Sequence, residues 1–173
     1  MAQKLTGAAT PSGTGAYADR FPDAALGFFR KGYDELCFSS IGLGTGGFCA
    51  WPTIQQAYQY EQAIVCAVAE GINVIDTATN YSMGKAEAII GSCLNSLVHA
   101  GKVDRTEIVV CSKGGYWPYG QAGFHDRYVC SRICIDADLS AGSHCIAPAF
   151  LKDQICESRA SPTSRIRLWI SRN

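Results

Sequence analysis

The sequence predicts an α/β fold built from parallel βαβ units, and three observations carry that prediction. Apolar runs of strand length alternate along the chain with stretches of helical period. The two helical stretches in its middle each stop at a glycine, with the next apolar run close behind. The runs Ile72–Asp76 and Glu107–Ser112 are apolar almost throughout, the pattern of parallel strands covered by helices.

Residues 1–15 are small, polar and rich in Gly, Ser and Thr, and are expected to be disordered. Residues 25–38 carry Phe28, Phe29 and Tyr33 and lead into Ser39–Thr45, read as a strand ending in a Gly-rich turn. Residues 54–70 are helical, with Ala57, Ile64, Val65 and Val68 on one face and Gly71 as the stop. The strand Ile72–Asp76 follows. Residues 85–100 form a second helix, with Ile89, Ile90, Cys93, Leu94 and Leu97 along one stripe and Gly101 closing it. Glu107–Ser112 is the next strand.

Residues 114–145 form an irregular stretch longer than a plain connection needs. Residues 148–160 read as a third helix, with Pro148 suited to its first turn. In the tail, 161–173, Ile166, Leu168 and Ile170 alternate as in a strand. Short connections between such elements imply right-handed crossovers onto one sheet.

Composition excludes several classes of function. Lys and Arg number 15 and Asp and Glu number 15, so no basic field is available to hold nucleic acid. The apolar stretches are interrupted by charge and Gly before they reach the length of a membrane span, and residues 1–15 lack the apolar segment of a secretory signal. The nine cysteines include no C-x-x-C pair and fit reduced thiols in a cytoplasmic protein. Cys130, Cys134, His144 and Cys145 depart from the knuckle spacing of structural zinc sites, and no metal is expected.

Two groups of residues could carry chemistry. Gly42–Gly47 spells G-x-G-x-x-G, but Pro52 follows and the helix starts about ten residues too late for a dinucleotide turn. Asp76 ends one strand, Tyr81 lies in the loop beyond it, and Lys113 ends the next strand. In a parallel sheet those ends open on one face, where active sites lie. A lysine beside a tyrosine favours the phenolate, and an aspartate keeps that lysine charged, so the phenol can deliver a proton to a carbonyl oxygen. Spacing alone also allows Asp76 to cap a turn, Tyr81 to pack and Lys113 to be solvated.

The segments SSIGLGTGG (39–47), EGINVIDTATNYSMGKAEAIIG (70–91) and RTEIVVCSKGG (105–115) resemble the first three βα units of the aldo-keto reductases. The family pattern D-T-A-x-x-Y-G-x-G-x-S/A-E after the second strand is matched from Asp76 to Glu87, with Ser82 where the family usually has Gly. The segment 141–159 resembles the helix after the family's third strand. The resemblance implies the first half of a TIM-type (β/α)₈ barrel, a fold that in full needs about 250 residues. It implies catalytic roles for Tyr81, Asp76 and Lys113, and places Gly44, Thr45 and Asp76 at the cofactor. The implied activity is NADP(H)-dependent reduction of a small-molecule carbonyl, an aldehyde or ketone.

The family's catalytic His at the end of strand four has no match, and its basic loop for the cofactor 2′-phosphate belongs to the second half of the barrel. The expected organisation is a loosely ordered segment over 1–24, a partial barrel over 25–160 and a divergent tail over 161–173. That tail is rich in Arg without acids, as an out-of-frame reading is. The expectation is therefore a truncated reductase, impaired or inactive, that self-associates through its open half-barrel. The alternatives are a short reductase completed by dimerisation and a non-catalytic α/β binding module.

Overall fold

A computed structural model of the chain describes residues 7–47 and 52–114, together with the strand backbones at 116–117, 133–134, 143–145 and 167–168. Its centre is a four-stranded parallel sheet in the order β3 (Leu43–Gly44), β4 (Val74–Asp76), β5 (Val109–Ser112) and β9 (Arg167–Leu168). Helix α2 (Ile54–Ala69) joins β3 to β4, and α3 (Lys85–His99) joins β4 to β5. The parallel βαβ arrangement is the one the apolar runs predict.

Each helix begins and ends for a local reason. Thr53 caps α2: the Gln56 amide donates to its Oγ1 at 3.2 Å, and its own amide donates to Gln56 Oε1 at 3.0 Å. Gly71 and Gly101 follow α2 and α3 with positive φ. Ile64 and Val68 of α2 meet Ile90, Cys93, Leu94 and Leu97 of α3 over Ile75 and Val110 of the sheet. Ile75 and Val110 are partners in register, so this face of both strands lies against the helices. The opposite face carries Val74 and Asp76 on β4 and Val109 and Cys111 on β5, because strand side chains alternate.

The N-terminal expectation is corrected. Residues 11–18 are not disordered but form helix α1 (Pro11–Ala18), capped by Thr10, whose Oγ1 accepts from the Gly13 amide at 3.0 Å. Its composition shows no apolar period, and it is held by individual contacts instead. Tyr17 is buried among Phe21, Phe29 and the core, and its hydroxyl donates to the Val68 carbonyl at 2.5 Å. Burial pushes that phenol well above the ordinary tyrosine range. A Cβ on Gly13 would stand 2.5 Å from the Thr106 carbonyl oxygen, so only glycine lets α1 approach the turn Arg105–Glu107 this closely.

Ser39–Thr45 is also divided differently from the expectation. Ser39 ends β2 (Cys37–Ser39), which pairs antiparallel with β1 (Phe29–Lys31), and only Leu43–Gly44 joins the parallel sheet. Within 114–145 the described backbone forms a small antiparallel sheet of β6 (Tyr116–Trp117), β8 (Ser143–Cys145) and β7 (Ile133–Cys134). The helix expected over 148–160 lies outside the described residues. In the tail, Arg167–Leu168 runs parallel beside Cys111–Ser112, so β5 is an interior strand of this sheet.

Asn73 ties the hairpin to the sheet. It is fully buried, its Oδ1 accepts from the Ser39 amide at 2.8 Å, and its Nδ2 donates to the Cys37 carbonyl at 2.9 Å. Its main-chain amide donates to Ser39 Oγ at 3.1 Å, and its carbonyl accepts from the Val109 amide at 2.8 Å. Truncating it strands buried backbone groups of two elements. Asn73→Ala should cost about 2–4 kcal/mol in urea unfolding, and a loss below about 1 kcal/mol would remove the bracket from this account.

Candidate active site

The register of the parallel strands assembles the site. Gly44 pairs with Asp76, and Asp76 pairs with Cys111, so the C-terminal ends of β3, β4 and β5 finish level with one another. Lys113 lies one residue beyond β5, and Tyr81 opens the short 3₁₀ turn Tyr81–Gly84 that leads into α3. Lys113 and Cys111 are two apart, so both point to the face that carries Asp76.

Lys113 Nζ sits at the meeting point of the group. It donates to Asp76 Oδ2 at 2.5 Å, to the Thr77 carbonyl at 3.0 Å and to the Tyr81 hydroxyl at 3.5 Å. It also lies 5.0 Å from the centre of the Tyr81 ring. The Lys113 and Asp76 side chains are 48% and 46% exposed, so the pair faces the open end of the sheet. Partial burial works against the lysine charge, but the Asp76 hydrogen bond and charge, with the Tyr81 oxygen, outweigh it and hold the ammonium above its ordinary range.

The two remaining residues of the expected cofactor set differ in placement. Gly44 is exposed at the strand end. Thr45 is fully buried, and both its amide (2.9 Å) and its hydroxyl (3.0 Å) donate to the Asp76 carbonyl. Thr45 therefore holds the main chain that carries Asp76, from below.

Sequence reasoning passed over three contributors. A Cβ on Gly46 would come within 3.2 Å of Tyr81 Cζ and 3.4 Å of its hydroxyl, so the bare backbone there makes room for the phenol. Glu87, in the first turn of α3, accepts a 2.7 Å hydrogen bond at Oε1 from Ser112, the residue before Lys113. Burial pushes the Glu87 carboxyl up, more than the Ser112 hydrogen bond draws it down. For Gly46 the signal was its place in the glycine run; for Glu87 and Ser112 no local pattern announces a pairing across 25 residues.

The structure also explains why Ser82 is a departure from the aldo-keto reductase pattern. Its φ is +50°, in the left-handed region that glycine occupies without steric cost. Its buried Oγ has no hydrogen-bond partner among the described residues.

The model of the Aldo/keto reductase family matches residues 40–138, more than half of the chain and the whole of this site. The chain belongs to the aldo/keto reductase family. The NADH-specific methylglyoxal reductase of Escherichia coli K12 is 36% identical over 87 residues, which are 49% of this chain and 25% of that protein. A crystal structure of an aldo-keto reductase from Pseudomonas aeruginosa superposes with a TM-score of 0.55 at 23% identity, covering 82% of this chain and 46% of its own. An aldo-keto reductase of Klebsiella pneumoniae, solved with NADPH, is 30% identical over 53% of this chain and 29% of its own, with a TM-score of 0.40. The match thus spans about a quarter of the Escherichia coli relative and less than half of the Pseudomonas structure. The parallel sheet is the first part of the family's (β/α)₈ barrel, and no helix among the described residues is long and apolar enough to cross a membrane.

Two outcomes follow from the local chemistry. Ser82→Gly should stabilise the protein by about 1 kcal/mol in urea unfolding, since it removes both the strained φ and an unpaired buried hydroxyl; a loss of stability would contradict this. Because the folded state raises the Glu87 carboxyl, its contribution is fully present below the ordinary Glu value near about 4.3 and is lost as pH rises through the raised one. Glu87→Gln should therefore gain in melting temperature relative to the natural chain between about pH 4 and about pH 8. A difference that stays constant with pH would count against it.

Proposed function

We propose that Asp76, Tyr81 and Lys113 form the proton-delivering part of a nicotinamide-dependent carbonyl reductase site. The observation that carries this reading is the single lysine ammonium in hydrogen-bond range of both the Asp76 carboxylate and the Tyr81 phenol. Tyr81 donates its proton to the carbonyl oxygen of the substrate as negative charge develops there. Lys113 stabilises the phenolate left behind, and Asp76 keeps Lys113 protonated and aimed. Gly46 leaves the space in which the phenol stands.

The residues present fit a nicotinamide. Gly44 is exposed, and a Cβ there would meet nothing within 4 Å among the described residues, so its bare backbone suits a planar ring at the strand end. Gly44 and Asp76 would hold the group, with Thr45 fixing Asp76 beneath. The reduced cofactor supplies the hydride. We take NADP(H) as the cofactor implied by the resemblance, while the name of the Escherichia coli relative supports a test of NADH beside it. The same name supports a small aldehyde such as methylglyoxal as the first substrate to try.

The free thiols at Cys37, Cys66, Cys93 and Cys111 support a reducing, cytoplasmic setting for this chemistry. Among the described residues β3 and β9 each pair on one side only, which supports self-association through the sheet. Light scattering tests that part, with a monodisperse monomer as the contrary result.

The deciding experiment is consumption of NADPH or NADH with methylglyoxal, alongside cofactor titration. Tyr81→Phe should lower kcat by about 10²–10⁴-fold and leave cofactor Kd unchanged; Lys113→Met should lower kcat by about 10²-fold. Turnover by Tyr81→Phe equal to that of the natural chain would overturn the assignment. Absence of turnover with either cofactor would move the chain to the non-catalytic binding reading.

A further inference from the structure

We propose that Glu87 is a positioning residue that acts through Ser112 to fix the end of β5, and with it the reach of Lys113 to Asp76 and Tyr81. This rests on the reading of those three residues as one working group. The argument begins with strand alternation. Ser112 and Lys113 are neighbours, so their side chains leave the strand on opposite faces. Lys113 rises on the face of Asp76, whereas Ser112, only 2% exposed, points to the helix side, where its Oγ donates to Glu87 Oε1 at 2.7 Å. A rotation of the chain at Ser112 therefore swings Lys113 the other way.

Glu87 is well placed to resist that rotation. It sits in the first turn of α3, where the helix dipole favours a carboxylate, and Ala86 beside it is fully buried against the body of the fold. The same helix is entered from the turn that carries Tyr81. One side chain thus links the helix that follows Tyr81 to the strand that precedes Lys113. An alanine would serve helix packing without the cost of burying a carboxylate. The raised Glu87 carboxyl is the mark of that cost.

The test reads the lysine directly, so it does not depend on turnover. The whole chain is acetylated with limiting N-hydroxysuccinimidyl acetate, and the rate at Lys113 is followed by peptide mass spectrometry, with Lys31 and Lys102 as internal references. Asp76→Asn sets the scale. Loss of the carboxylate that holds the ammonium above its ordinary range raises the neutral, reactive fraction. Glu87→Gln, which keeps an acceptor for Ser112, should label Lys113 at the natural rate. Glu87→Ala and Ser112→Ala should each raise that rate about threefold or more toward the Asp76→Asn level, with Lys31 and Lys102 unmoved.

Either alanine variant with a natural far-ultraviolet circular dichroism spectrum and an unchanged Lys113 rate overturns the proposal. Failure of both alanine variants to fold also overturns it, in favour of a purely structural Glu87. Methylglyoxal turnover is measured on the same samples. A natural chain that turns over nothing, yet whose protected Lys113 is released by Glu87→Ala, sinks the reductase reading and leaves the positioning intact.

Discussion

Asp76 has Gly44 as its register partner on one side and Cys111 on the other, and the remainder of the site depends on that alignment of three parallel strands. A shift of one residue on any of them would turn its side chains to the opposite face. Lys113 would then leave Asp76 for the helix layer, and Ser112 would take its place. The alignment is secured from the helix side, where Ile75 and Val110 pack under Ile64, Ile90 and Leu94. It is also secured from the far end of the strand by Asn73, whose side chain spans β2 and reaches the Glu107 carbonyl at 3.4 Å. A buried amide that satisfies backbone groups of neighbouring elements fixes a register in a way that apolar contact alone does not, because a slip leaves each of those groups unpaired.

The N-terminal helix follows from the same core. Thr14 of α1 is fully buried and accepts at Oγ1 from the Cys37 amide, so α1, β2 and the start of β4 form one continuous set of contacts. Tyr17 extends the set to α2 through the Val68 carbonyl. Arg20, beyond α1, pairs with Glu107, whose side chain is 10% exposed. A segment with no apolar period is thereby ordered by tertiary contact.

Legibility in the sequence divides along the same line. The strands at Ile75 and Val110 could be read because a buried parallel strand is apolar on both faces, and the two long helices because their stripes and terminal glycines are local signals. Asp76 and Lys113 could be placed because strand ends in such a sheet open on one face, and Tyr81 joined them through the resemblance to the reductase pattern, since spacing alone also let it pack. Helix α1 offered only the Thr10–Pro11 start as a local signal, with no apolar period behind it; its close approach at Gly13 and its buried phenol exist only when a partner 50 or more residues away is in place. The tie between Glu87 and Ser112 was hidden for that reason too. Ser82 was visible as a departure from the reductase pattern, but the reason for glycine at that place is its φ of +50°, which no sequence displays.

The charge group itself contributes little to holding the fold together. Lys113 and Asp76 are each nearly half exposed, and an ion pair of that kind is worth about 0–1 kcal/mol. Yet an ammonium has three protons to donate, and here each finds a different acceptor: the Asp76 carboxylate, the Thr77 carbonyl and the Tyr81 phenol. Stability gives no reason for so complete a commitment of a lysine at an open strand end. The supporting features are likewise concentrated around it: Thr45 spends both of its donors on the Asp76 carbonyl, Gly46 gives up a side chain to the phenol, and Ser112 is anchored behind Lys113. Under the proposed reductase reading, residues that contribute so little to the fold but are constrained from several elements serve chemistry at the face they share, and the proton on Tyr81 is the one that reading puts to use.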